Sequence, residues 1–176
     1  MRILYFLLFT SLCFSATAQN LGENIKQQFV NDWVRAKAYT NEYLDAMPSD
    51  KYNFRAEDSV RTFAEQMLHL AQANIGFVAN ATGSPRLFQG WILERSATAK
   101  TRDSVVYYVN VSYDFAINAL KNMDPAKLQE IVKRGNFSYT GLAWILKGFE
   151  HQTHHRGQTT IYLRLSGIKP PTEKLF

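Results

Sequence analysis

Four histidines stand in the chain, and three of them fall in one run of ten residues, Phe149-Glu150-His151-Gln152-Thr153-His154-His155-Arg156-Gly157-Gln158. The fourth is His69. A helix turns about 100° per residue, so His151 and His155 share one face, roughly a turn apart. Two imidazoles at that spacing can bind one metal ion. His69, from a neighbouring helix, would complete a three-histidine site. Three protein ligands plus an open position for water or substrate is the layout of a catalytic rather than a structural zinc-type centre. His154 is expected to point away from that face, as a surface or supporting group. The plain alternative is a pair of unrelated histidines, since spacing alone does not make a site. What favours the site is that all the histidine is confined to two places.

Each ligand histidine needs an acceptor to fix its tautomer. Glu65 and Glu150 are near in sequence, and Gln158 follows His155 by three residues, so these are the supporting candidates. A hydrolase would also need a general base near a metal-bound water, and Glu65 is the best placed by sequence. No Ser/His/Asp order, glycine-rich phosphate loop or second metal cluster is visible. Cys13 is the only cysteine.

That cysteine lies in a segment expected to be lost. Met1-Arg2 is a short positive start, Ile3 to Phe14 is almost wholly apolar, and Ala16-Thr17-Ala18 offers small residues for cleavage before Gln19. This is the pattern of a secretory signal peptide over residues 1–18, and its apolar run is too short to span a bilayer as a helix. Residues 19–176 then form one cysteine-free domain, exported to a periplasmic or extracellular space, with no stable membrane insertion. Thiolate chemistry is excluded. The net charge is +5, but the cations are scattered, whereas nucleic-acid binding needs a patch. No nucleic-acid partner is expected.

The elements that must position the histidines are helices. Ile25, Phe29, Trp33, Ala36, Tyr39, Tyr43 and Leu44 recur by threes and fours, giving an amphipathic helix over residues 20–47, which Pro48 ends. A second helix is predicted from Asp58-Ser59, with Ser59 as N-cap, through Val78 to a stop at residues 80–83. Residues 86–100 read as a packed loop with Trp91 as its apolar anchor. A third helix covers about 101–123. Asp124-Pro125 opens a short helical segment running through Ile131 and Val132 to residues 134–136, and Phe137-Ser138-Tyr139 is extended. Thr140 caps the last long helix, which Ser166-Gly167 closes. Four long amphipathic segments describe an all-α four-helix bundle. In such bundles metal sites form between facing helices.

One stretch carries a resemblance. His151-x-x-x-His155-Arg156-Gly157-Gln158, followed by Tyr162-Leu163-Arg164-Leu165-x-Gly167-x-x-Pro170-Pro171, resembles the end of the DinB/YfiT-like family of metal-binding four-helix bundles. Leu68-His69-Leu70, Trp33 and Tyr52-x-Phe54 are similar to the family's earlier segments. The resemblance covers essentially the whole chain after residue 18. It implies one divalent metal held by His69, His151 and His155, most often zinc or nickel, with manganese or iron as other occupants. Some relatives are thiol-dependent transferases or isomerases, and others are described as metal-dependent hydrolases. Many carry glutamate where this chain has Gln152. Many are cytoplasmic, and an exported copy has poor access to cytosolic thiol cofactors, which counts against the transferase activity. A homodimer is also implied. Two functions follow as expectations: an exported metal-dependent enzyme acting on an unidentified small molecule, hydrolase-like before transferase-like, or a non-enzymatic bundle binding metal or a small ligand.

Overall fold

The computed structural model describes the backbone of residues 2–176 and the side chains of residues 21–176. The expected export segment, residues 1–18, lies outside the residues whose side chains are described. Among the described residues no helix is long and apolar enough to cross a membrane.

Four helices make the bundle: α1 (Arg2–Ala46), α2 (Phe63–Thr82), α3 (Arg102–Lys121) and α4 (Gly141–Leu165). The helix α2 is central, packing most extensively against α4 and α3, while α1 packs mainly against α3. The apolar stripe of α1 is buried as its spacing requires, with Trp33, Ala36 and Leu44 fully enclosed. Trp33 meets Tyr113 of α3 and Phe149 of α4 edge to face, each at 5.8 Å between ring centres. One large aromatic thus ties three helices together at the depth of the histidines, in the geometry aromatic pairs prefer.

The start of α2 differs from its expected place. Ser59 bonds to the Glu57 carboxylate instead of capping, and the helix begins four residues later at Phe63 behind Thr62. Thr62 Oγ1 accepts from the Glu65 amide at 3.2 Å, and Glu65 Oε2 accepts from the Thr62 amide at 2.9 Å. This reciprocal capping box satisfies two amides that a lone serine would leave half-served. Gly83, at φ 74°, takes the left-handed turn that ends α2.

Two further expectations fail. Trp91 is 55 % exposed; Leu93, fully buried, is the anchor of the loop between α2 and α3. The helical segment opened by Asp124-Pro125 stops at Leu128, and the chain then forms an antiparallel hairpin of β1 (Ile131–Arg134) and β2 (Phe137–Thr140). Gly135 turns the hairpin with φ 57°. The reason is local: Ile131 and Val132 are β-branched, and a glycine three residues beyond Val132 favours reversal over another helical turn. Thr140 caps α4 as anticipated, accepting from the Ala143 amide. Gly148 lets α4 lie close on α2, since a Cβ there would sit 2.8 Å from Phe77 Cβ.

Candidate metal centre

His69 projects from the middle of α2 between Leu68 and Leu70, both fully buried, while its own side chain keeps 29 % of its exposure. It therefore stands at the edge of the core, facing α4. His151 and His155, a turn apart on α4, face it. The ring centres lie 5.1 Å (His69–His151), 4.6 Å (His69–His155) and 4.4 Å (His151–His155) apart. One ring nitrogen from each falls within 4.8 Å of the other two. Three histidines that could hold a metal ion are thus brought to one point.

Hydrogen bonds prepare two of the three. His155 Nδ1 donates to Gln66 Oε1 at 2.8 Å, which leaves Nε2 with a free lone pair. His69 Nδ1 donates to Glu94 Oε2 at 3.1 Å, which likewise leaves Nε2 free. A carboxylate or amide oxygen behind a histidine fixes its tautomer and raises its basicity as a ligand. His151 Nδ1 is buried and has no hydrogen-bond partner among the described residues. A buried polar atom without a partner is costly, and a cation at the trio would answer it. The donor set fits a divalent ion.

Electrostatics point the same way. Burial is the main cause that pulls the His151 pKa down to about 4 and the His155 pKa to about 3, and the neighbouring imidazoles add to it. Burial also lowers the His69 pKa, against the opposing charge of Glu94. Three imidazoles crowded together cannot all take protons, so the cluster is neutral near pH 7. Neutral imidazole is the form that ligates.

The other expected residues fall into place as follows. Glu65 touches none of the histidines: it accepts from the Thr62 amide, from Lys100 Nζ at 2.6 Å and from Arg55 at 3.4 Å. Burial acts to raise its pKa, but these donors outweigh it and hold the carboxyl below its usual range. Gln158 lines a polar cavity of about 510 Å³ together with Gln66, Glu94 and Arg61, and its Oε1 is buried without a partner among the described residues. Glu150 is exposed on the rim of a second cavity beside His151. His154 does not point away; it lines that same cavity, its ring 4.9 Å from His155. Three residues past His151 is about 300° of turn, only some 60° off the same face.

Glu94 and Gln66 were missed. Gln66, 4 % exposed, lies three residues before His69, and helical spacing alone could have placed it. Glu94 comes from the irregular loop after α2, where no period exists to read. Arg61 Nε donates to Glu94 Oε2 at 2.6 Å and holds the carboxylate in position behind His69.

The second cavity, about 620 Å³, runs between α2 and α4 from His151 to the hairpin. Phe77 packs against His151 at 5.5 Å and against Trp144 at 5.9 Å, forming its apolar wall. A volume of that order suits a small organic molecule.

Deeper in α4, Gln152 Oε1 accepts from Tyr113 at 2.8 Å and from Arg156 Nη1 at 2.9 Å. Arg156 is 6 % exposed and lies over the Tyr39 ring at 4.4 Å. No carboxylate pairs with it among the described residues. Gln152 Oε1 and, at 3.4 Å, Thr40 Oγ1 are the acceptors for this guanidinium, the glutamine one position from the ligand face.

Fold and site together define a helical bundle with a three-histidine cluster, able to hold a metal ion, at the mouth of a cavity. The chain belongs to the DinB family, whose sequence profile matches residues 17–175. Its fold is similar to that of a DinB-like protein from Bacillus cereus (TM-score 0.72, 18% identity, covering 84% of this chain and 97% of that one). It is also similar to a DinB-like protein from Bacillus subtilis (TM-score 0.65, 20% identity, 85% and 96% covered) and to a conserved protein from Enterococcus faecalis (TM-score 0.61, 14% identity, 80% and 96% covered). No curated protein matches the chain in sequence.

Proposed function

We propose that this DinB-family protein is exported, that His69, His151 and His155 hold one divalent metal ion, and that a small molecule bound beside them undergoes hydrolysis or group transfer. The observation that carries the reading is the convergence of three neutral imidazole nitrogens within 4.8 Å at the mouth of a cavity. Imidazole ligands suit zinc and nickel, and also iron. When bound, such an ion polarises a carbonyl or lowers the pKa of a bound water.

The chain's own residues supply the remainder. Gln66 and Glu94 hold two of the imidazoles with Nε2 outward. Phe77 and Trp144 keep the cavity wall apolar beside His151, which limits water where a substrate would lie. Glu150 and His154, exposed at the rim, are the groups able to exchange a proton with a bound molecule. Glu65 and Glu94 are already committed to cations.

One observation favours the non-enzymatic alternative. The carboxylate that touches the trio, Glu94, is ion-paired with Arg61, so no free carboxylate contacts the histidines among the described residues. A bundle that only binds metal or a ligand would look the same at this point.

The test is metal content by plasma mass spectrometry on the full chain expressed without a tag and recovered as the processed protein. Wild type is compared with His151→Ala and His155→Ala. About one equivalent of divalent metal, lost in both variants, supports the site. No metal after reconstitution with zinc, nickel and manganese overturns it. Amino-terminal sequencing of the same sample checks export, with Gln19 expected as the first residue.

A further inference from the structure

The cavity between α2 and α4 has a direction. On α2, His69, Ala73, Gly76 and Asn80 succeed one another by threes and fours, so they form one face running about 16 Å along the helix. Ala73, Gly76 and Asn80 line the cavity with Phe77. Opposite them on α4, Trp144, Lys147, His151 and His154 do the same. The histidine trio lies at one end of this groove, and the hairpin with the loop after α2 lies at the other.

The far end is cationic. Arg86 Nη2 donates to Asn80 Oδ1 at 2.7 Å, and Arg134 Nε donates to the same oxygen at 3.2 Å. Asn80 is itself 6 % exposed. Two guanidinium groups therefore converge on one neutral, buried acceptor. Among the described residues neither has a carboxylate within ion-pair distance. Lys147 adds a third positive charge, held over the Tyr139 ring at 4.9 Å. Like charges gathered around a neutral oxygen repel one another unless an anion joins them, and guanidinium is the group best shaped to grip a carboxylate or phosphate.

The middle is apolar and kept open by a glycine that the fold does not need. Gly76 sits inside α2, where glycine costs about 1 kcal/mol against alanine. Its φ is not in the left-handed region, and a Cβ there would meet nothing within 4 Å. Gly148 is different, being pressed against Phe77. What Gly76 provides is room in the groove, opposite the aromatic wall of Phe77 and Trp144.

We propose that this groove binds an elongated amphipathic organic anion: its carboxylate or phosphate head on Arg86, Arg134 and Lys147, its apolar body along Gly76, Phe77 and Trp144, its other end at the histidine trio. The assignment rests on the proposed function only in taking the trio as the reacting end; the groove's affinity for the anion stands without metal.

The probe is 6-phenylhexanoate, with 6-phenylhexanol as its uncharged counterpart, titrated by calorimetry into the full chain after exhaustive chelation. Removing metal first prevents the carboxylate from binding at the histidines instead. The acid is expected to bind at submillimolar concentration and at least about tenfold more tightly than the alcohol, as a charge-assisted contact predicts. Arg86→Met should diminish that preference while leaving the alcohol's affinity unchanged. Gly76→Leu should weaken both probes about tenfold or more by filling the groove, with the circular dichroism spectrum and metal content unaltered. Gly76→Ala, a smaller step with higher helix propensity, should weaken both by less. Equal affinity for acid and alcohol, an undiminished preference in Arg86→Met, or unchanged binding in a folded Gly76→Leu would each overturn the assignment, as would no binding below about 5 mM. Should the chain take up no metal yet bind the acid as described, the metal reading falls and the groove assignment stands. One equivalent of metal without acid binding gives the reverse.

Discussion

Glu94→Gln isolates the carboxylate behind the metal candidate. Glu94 Oε2 accepts from His69 Nδ1 at 3.1 Å and from Arg61 Nε at 2.6 Å. The amide keeps the size and can still accept one hydrogen bond, so the loop anchored by Leu93 should hold its path. What is lost is the negative charge that fixes the His69 tautomer and strengthens Nε2 as a donor. Outer-sphere changes of this kind cost about 10- to 100-fold in metal affinity, or roughly 1.4 to 2.7 kcal/mol. The Arg61 pair is partly exposed, so its own loss should cost less than about 1 kcal/mol of fold stability. Glu65→Gln is the control. Glu65 completes the capping box and accepts from Lys100 but touches no histidine, so its loss should lower the melting temperature by a few degrees and leave metal affinity unchanged. Competition of zinc against a chromophoric chelator, beside thermal melts of the metal-free proteins, reads both quantities. If Glu65→Gln weakened metal binding as much as Glu94→Gln, or if Glu94→Gln left it untouched, the assignment of Glu94 to the centre would be refuted.

Three further outcomes follow from the same geometry. In the metal-free protein, folded His151 and His155 titrate near 4 and 3 while the unfolded chain takes up protons near 6.5. Their contribution is therefore complete above about pH 6.5 and is lost on acidification toward the folded values, by up to about 1.4 kcal/mol per pH unit for each histidine. Melting temperatures of chelated protein should fall between pH 7 and 4.5, less steeply in His155→Gln, and a flat profile would contradict the burial of the cluster. Gln152→Ala removes the oxygen that accepts from both Arg156 and Tyr113 and leaves Thr40 Oγ1 as their remaining partner; it should cost about 1 to 3 kcal/mol in denaturant unfolding, while Gln152→Glu, which keeps an acceptor there, should stay well above it. Gly148→Leu drives a side chain into Phe77 and should destabilise the protein by about 2 kcal/mol or more, in contrast to Gly76→Leu, next to Phe77 on α2, where a Cβ meets nothing within 4 Å.

Periodicity carries far in this chain where the helices are long. The stripe from Ile25 to Leu44 and the runs of α2, α3 and α4 can be read because a helix repeats its exposure every 3.6 residues, and burial follows that repeat. The pairing of His151 with His155 is legible for the same reason, being local to one helix. Where the backbone is irregular the reading weakens. Two β-branched residues and a glycine turned the stretch after Leu128 into a hairpin, and Thr62 with Glu65 outcompeted Ser59 as the start of α2, because two reciprocal bonds satisfy more of the helix end than one. Trp91, read as an anchor, lies in solvent, while Leu93 two residues on is enclosed.

The sequence by itself determined the four helices, the histidine pair on the last of them and the family to which the chain belongs, since all of these depend on residue types at fixed local spacing. Only the tertiary structure decided that His69 meets that pair, that Glu94 rather than Glu65 stands behind it, and that a cavity opens between α2 and α4 with arginines at its far end. Those are contacts between residues far apart in the chain. They depend on how closely α4 can approach α2 at Gly148 and on the path of a loop with no repeat, and neither is written in any local period.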